Sequence, residues 1–145
     1  MKLWKRPANI EDFAKRSQDT AVGHLGIEIT EIGDDYLKGR MPVDHRTRQI
    51  HGILHGGASV LLAETLGSMA AHLCVVSESM TAVGLDINAN HIRPVASGWV
   101  YGCARPLHIG TTTHVWEIRI TNEAGQLVCM SRLTMAVIQH RSAND

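Results

Sequence analysis

Between Arg48 and Glu78 the chain carries a single formal charge, Glu64, and from Ala58 onward its apolar residues are nearly continuous. Ala58, Leu61, Leu62, Ala63, Leu66, Met69, Ala70 and Leu73 leave almost no polar face, and no proline intervenes before Pro94. This run predicts a helix over 57–75 that is buried on most sides, so the rest of the chain has to cover it. It falls short of a membrane span, because Glu64, Gly67, Ser68 and His72 break it.

The flanking segments read as strands. Asn9 is placed to cap a short helix from Ile10 to about Arg16. Gly23 to Ile32 reads as a strand with Leu25, Ile27 and Ile29 on one face, and Tyr36 to Val43 as a second, joined by the turn at Gly33-Asp34-Asp35. Asp44 to Leu54 is a polar loop. After the helix, Val83, Leu85, Ile87 and Ala89 alternate with Gly84, Asp86, Asn88 and Asn90. Trp99–Pro106, His114–Ile120 and Leu127–Ile138 follow. Short turn segments join the last three, which implies an antiparallel meander. A hairpin, one long buried helix and four strands make an α+β fold, a single helix on an antiparallel sheet. One domain is expected over 1–145, with a frayed polar tail over 139–145. The sheet's edges and second face predict a dimer.

Composition narrows the function. Lys plus Arg equal Asp plus Glu at 14 each, so the basic excess of a nucleic-acid or membrane-surface binder is missing. Cys74, Cys103 and Cys129 are odd in number and form no C-x-x-C, which favours free thiols in a reducing compartment. The start, Met1 to Pro7, lacks the apolar core of a signal peptide, and the expected location is cytoplasmic.

A lone carboxylate in an apolar helix is costly unless something uses or satisfies it. Gly56 and Gly57 stand eight and seven residues upstream of Glu64, where the helix would begin and its backbone N–H groups are free. An acid and an N–H cluster on one helix suggest attack on a carbonyl. The plainer alternative is a structural acid paired with a partner chain's arginine or with backbone. His51 and His55 are four apart, but no third ligand accompanies them, so no metal is expected. Ser59 lies in Gly-Gly-Ala-Ser-Val rather than in a Gly-x-Ser-x-Gly elbow, which argues against a serine hydrolase. Ser68 and His72 share a helix face with Glu64.

The segments Met41-Pro42-Val43-Asp44, Leu54-His55-Gly56-Gly57-Ala58-Ser59, Leu62 to Ser68, Val83 to His91 and Pro106-Leu107-His108-Ile109-Gly110 resemble the hotdog-fold acyl-CoA thioesterases. The resemblance runs from Trp4 to about Val137. It is nearest to the bacterial branch of the 1,4-dihydroxy-2-naphthoyl-CoA thioesterases and the proofreading thioesterases of enterobactin synthesis. It implies that Glu64 is the catalytic carboxylate, as nucleophile or general base, and that the Gly56 N–H polarises the thioester carbonyl. It implies that His55 orients the thioester, that Gln49 bonds the acyl region or water, and that Ser68 places water. His51 and Met69 fall at acyl-site positions, and His91, Arg93, His108 and Gly110 are the candidates for the coenzyme A phosphates. No cofactor beyond the substrate's own coenzyme A is implied. A homodimer with shared active sites is implied, paired again into a tetramer, with an acyl-CoA or an acyl or aryl carrier-protein thioester as substrate. Ile50-His51 replaces the Pro-Phe that family members often carry, so a broader or shifted acyl range is expected. The rival readings are a hotdog-fold hydratase or dehydratase and a non-catalytic acyl-CoA-binding module.

Overall fold

The computed structural model describes residues 2–76 and 78–141. Asn9 opens the first helix, α1 (Ile10–Ser17), where its side chain accepts from Asp12 N–H at 3.1 Å. Glu11 and Asp12 fill the first turn of α1, and Lys15 and Arg16 the last, matching the helix dipole. The next stretch corrects the sequence reading. The strand expected from Gly23 splits into one helical turn, α2 (Ala21–His24), and a shorter strand, β1 (Glu28–Ile32). Gly26, at φ 73°, turns the chain between them. Ile27 and Ile29 still reach the core, so the apolar alternation was real although half of it is not extended.

The remaining elements are β2 (Leu37–Pro42), α3 (Gly56–Leu73), β3 (Met80–His91), β4 (Trp99–Ile109), β5 (Thr113–Thr121) and β6 (Leu127–Gln139). They form one six-stranded sheet in the order β1-β2-β4-β5-β6-β3, with every adjacent pair antiparallel. This is the α+β hotdog architecture expected from the sequence. β4, β5 and β6 form the meander, while β3 crosses over to pair with β6 at the sheet's edge. β4 runs past Pro106, whose missing N–H falls beside a register irregularity between Pro106 and His108. Of the tail expected over 139–145, residues 142–145 lie outside the described residues. Gln139 ends β6, and His140 N–H donates to Ser79 O.

The helix α3 lies close on the sheet. Leu62, Ala63, Leu66 and Ala70 are fully buried against Leu37, Met41, Val100, Ile118, Ile120, Leu133 and Met135. Gly39 and Gly102 are register partners on β2 and β4, and they leave a slot for Leu66. A Cβ at Gly102 would stand 2.6 Å from Leu66 Cδ1, and one at Gly39 2.7 Å from Cδ2. Burying one such side chain contributes about 1.5–3 kcal/mol.

A bulge in β3 falls between Gly84 and Asp86. Ala82 packs on the core before it, and Ile87 and Ala89 after it, whereas Val83 and Leu85 are exposed. An unbroken strand would put Ala82 and Ile87 on opposite faces. The additional residue resets the alternation, so the single apolar face expected over 83–89 is not continuous.

Candidate active site

His55 precedes α3 in an extended conformation and caps it. Its Nδ1 accepts from Gly57 N–H at 2.8 Å, and its carbonyl accepts from Ala58 and Ser59 N–H. Gly56 N–H is left without an acceptor among the described residues. A side chain at Gly56 would strike His91, since a Cβ there would lie 2.8 Å from His91 Nε2. Around this end of the helix opens a cavity of about 340 Å³, lined by Gln49, Gly56, Ser59, His91 and Arg93 among others. Four residues singled out from the sequence, Gln49, Gly56, His91 and Arg93, thus come together. Ser59 joins them, a residue weighed from the sequence only as a nucleophile.

The loop before the helix places its residues unequally. Gly52 N–H donates to Gln49 O, and Gln49 Oε1 accepts from His51 N–H. This tight turn pushes Ile50 to 96% exposure and leaves His51 exposed, lining none of the described cavities. The His55 ring is occupied by the cap, a structural duty invisible in the sequence because histidine is an uncommon N-cap. His55→Ala is expected to lower the unfolding free energy by about 1 kcal/mol. Urea unfolding of the variant checks this, and unchanged stability would mean the cap contributes nothing.

Glu64 stands two turns along α3, half-buried, with its carboxylate on the bare backbone of β3. A Cβ at Gly84 would lie 2.6 Å from Glu64 Oε1. Among the described residues the Glu64 carboxylate makes no hydrogen bond or ion pair, so within one protomer its charge is not spent on a structural partner. Ser68, one turn on, donates to Met135 Sδ at 3.8 Å, and Met135 is the register partner of Gly84. Glu64 and Ser68 therefore face the same patch of sheet.

A groove of about 490 Å³ lies between α1 and α3, with Thr65, Ser68, Met69 and His72 along one wall, and Ser68 is the residue it shares with that patch. Burial pushes the His72 imidazole below its ordinary pKa, and the nearby Arg6 and Arg16 push it the same way. His108 and Gly110 lie elsewhere. Register carries Gly84 through Met135 and His114 to Ile109, so they share the Glu64 end of the sheet, while His91 and Arg93 mark the Gly56 end. Gly110 lines a further cavity with His114 and Cys74, whose thiol burial pushes up to about 11.

The candidate residues thus fall into two groups on one helix. One supplies an N–H donor with histidine and arginine beside it. The other supplies a carboxylate with a serine beside it. Among the described residues no three His, Cys, Asp or Glu side chains are grouped to hold a metal ion. No helix among the described residues is long and apolar enough to cross a membrane.

The family described as the thioesterase superfamily matches residues 51–129, the segment that carries Gly56, Glu64, Gly84 and His91. The chain belongs to that superfamily. The 1,4-dihydroxy-2-naphthoyl-CoA hydrolase of Escherichia coli is 48% identical over 94% of this chain and 99% of its own length. The proofreading thioesterase EntH of Cronobacter turicensis is 49% identical over 94% of this chain and 98% of its own. The crystal structure of a thioesterase from Haemophilus influenzae superposes with a TM-score of 0.93 at 50% identity, covering 99% of each chain. This superfamily member is accordingly a thioester hydrolase of hotdog fold, in the branch to which its sequence motifs pointed.

Proposed function

We propose that the protein hydrolyses acyl-CoA thioesters of aromatic or medium-sized acyl groups, with Glu64 as nucleophile or general base and Gly56 N–H stabilising the oxyanion. The observation that carries this reading is the pair of groups on α3 left uncommitted among the described residues: an N–H without an acceptor and a carboxylate without a partner. Hydrolysis needs both at one carbonyl, each at roughly 3 Å. Eight residues of helix separate them, about 12 Å along the axis, so one protomer cannot present both to the same atom. A two-fold dimer that sets Gly56 of one protomer opposite Glu64 of its partner solves this and makes two sites. The twelve-residue edge strand β3, with Val83 and Leu85 exposed, is the surface through which a second sheet would join. His91 and Arg93 of one protomer and the partner's end of the sheet would then flank the coenzyme A phosphates. The dimers pair again into a tetramer, and an acyl or aryl carrier protein replaces coenzyme A on some substrates. The unpaired cysteines fit action in the cytoplasm.

A panel of acyl-CoAs with a thiol reagent tests the reading through release of free coenzyme A. Binding without release would make the protein an acyl-CoA-binding module, and hydration of crotonyl-CoA without release would make it a hydratase. The same panel reads the acyl range. Ile50 and His51 sit at the exposed tip of the loop, where a partner's substrate would meet them. Changing the pair to Pro-Phe is expected to raise the ratio of aryl to aliphatic turnover. A constant ratio would mean that this tip does not touch the acyl group.

A further inference from the structure

We propose that the preferred acyl group ends in a carboxylate, held at the far end of the groove between α1 and α3 by Arg16 and His72. This rests on the hydrolase reading above and names the substrate class of the same site. The groove takes in Thr65, Ser68 and Met69, which follow Glu64 on α3, and its lining also includes His72 with Arg6 and Arg16, both near enough to bear on the His72 charge. Asp12 is the one acid among the described residues that line it. It forms no ion pair with Arg16, and the Arg16 side chain makes no hydrogen bond to any described residue. Arg6 is a fixed charge, since its guanidinium donates to Val75 O at 2.9 Å and to Met80 O at 3.3 Å. The field at this end is positive, and His72 registers it: burial first, then Arg6 and Arg16, disfavour its protonation.

The position of Arg16 in the last turn of α1 suits that helix's dipole. The dipole does not account for a second arginine from before α1 and a half-buried histidine from α3 meeting in the same recess. Neutral His72 retains one N–H to donate, and a guanidinium presents a fork that matches a carboxylate. The dimensions agree. Glu64 and His72 are eight residues apart on α3, about 12 Å, so an acyl chain laid along the helix from a carbonyl at Glu64 brings its tail to His72. Arg16 is exposed, so the carboxylate keeps part of its hydration there and the preference is modest.

The test compares kcat/KM for suberoyl-CoA and octanoyl-CoA, which match in chain length and differ in the terminal carboxylate. The wild type is expected to favour suberoyl-CoA by about fivefold, the scale of an exposed charge pair. Arg16→Gln and His72→Gln should each lower that ratio, and the double variant should bring it to about one. A wild-type ratio of one or below, or a ratio unmoved by Arg16→Gln, overturns the proposal while leaving the hydrolase reading intact. If neither thioester is turned over, the hydrolase reading has failed on these substrates. Calorimetric titration of the wild type with the same pair then reads the preference, and equal affinities overturn it.

Discussion

Glu64→Gln is expected to lower the maximal rate of thioester hydrolysis by at least about a hundredfold, the low end of what a positioned acid or base contributes. Glutamine keeps the shape of the side chain, so its contact with the Gly84 backbone survives. No ion pair is broken, because Glu64 makes none among the described residues, and the fold should be unaffected. Substrate affinity should hold for the same reason. The measurements are single-turnover rates, substrate binding by titration and the unfolding midpoint. Retention of most of the turnover would remove Glu64 from the chemistry. Single-turnover hydrolysis in ¹⁸O-labelled water separates the two roles of the carboxylate. Label recovered in Glu64 requires a mixed anhydride opened at the Glu64 carbonyl and so a nucleophile, whereas a general base sends label only into the acid released.

Subunit mixing should restore what each lesion removes. Gly56→Pro deletes the N–H and suits the first position of a helix, although His91 must yield to the ring. Alone, Gly56→Pro and Glu64→Gln should both be nearly inactive. If each site takes its donor from one protomer and its carboxylate from the other, a mixed dimer holds one doubly damaged site and one intact site. Random exchange between equal amounts of the two variants should then return roughly a quarter of the wild-type sites. Differently tagged chains show whether mixed dimers have formed. Mixed, folded dimers that stay inactive would place the whole site within one protomer.

What could be read in the sequence followed the two periods of regular structure. α3 was legible because its apolar residues run on without proline, and β4 to β6 because short turns join them. The turn α2 was not, since Leu25, Ile27 and Ile29 keep a strand's spacing while Gly26 bends the chain between them. Nor was the bulge in β3, because Val83, Leu85, Ile87 and Ala89 look unbroken as text and only the pairing with β6 exposes the additional residue. Gly56 and Glu64 stood out as a glycine pair and a lone charge. That His91 and Arg93 would sit beside Gly56, with His108 and Gly110 at the opposite end, depends on β3 crossing to the sheet's edge. That is a long-range pairing which no local pattern encodes.

The bulge also divides β3 into two independently adjustable parts. A strand counts in twos, and one residue out of step reverses every position beyond it. Here the reversal is already present, so the stretch up to Leu85 and the stretch from Asp86 answer to separate counts. A one-residue change upstream of Leu85 would alter the backbone beneath the Glu64 carboxylate, yet leave Ile87 and Ala89 in their places against the core. The floor of the reactive patch can therefore change through sequence with Ala82 as the one core contact of β3 on its side of the bulge.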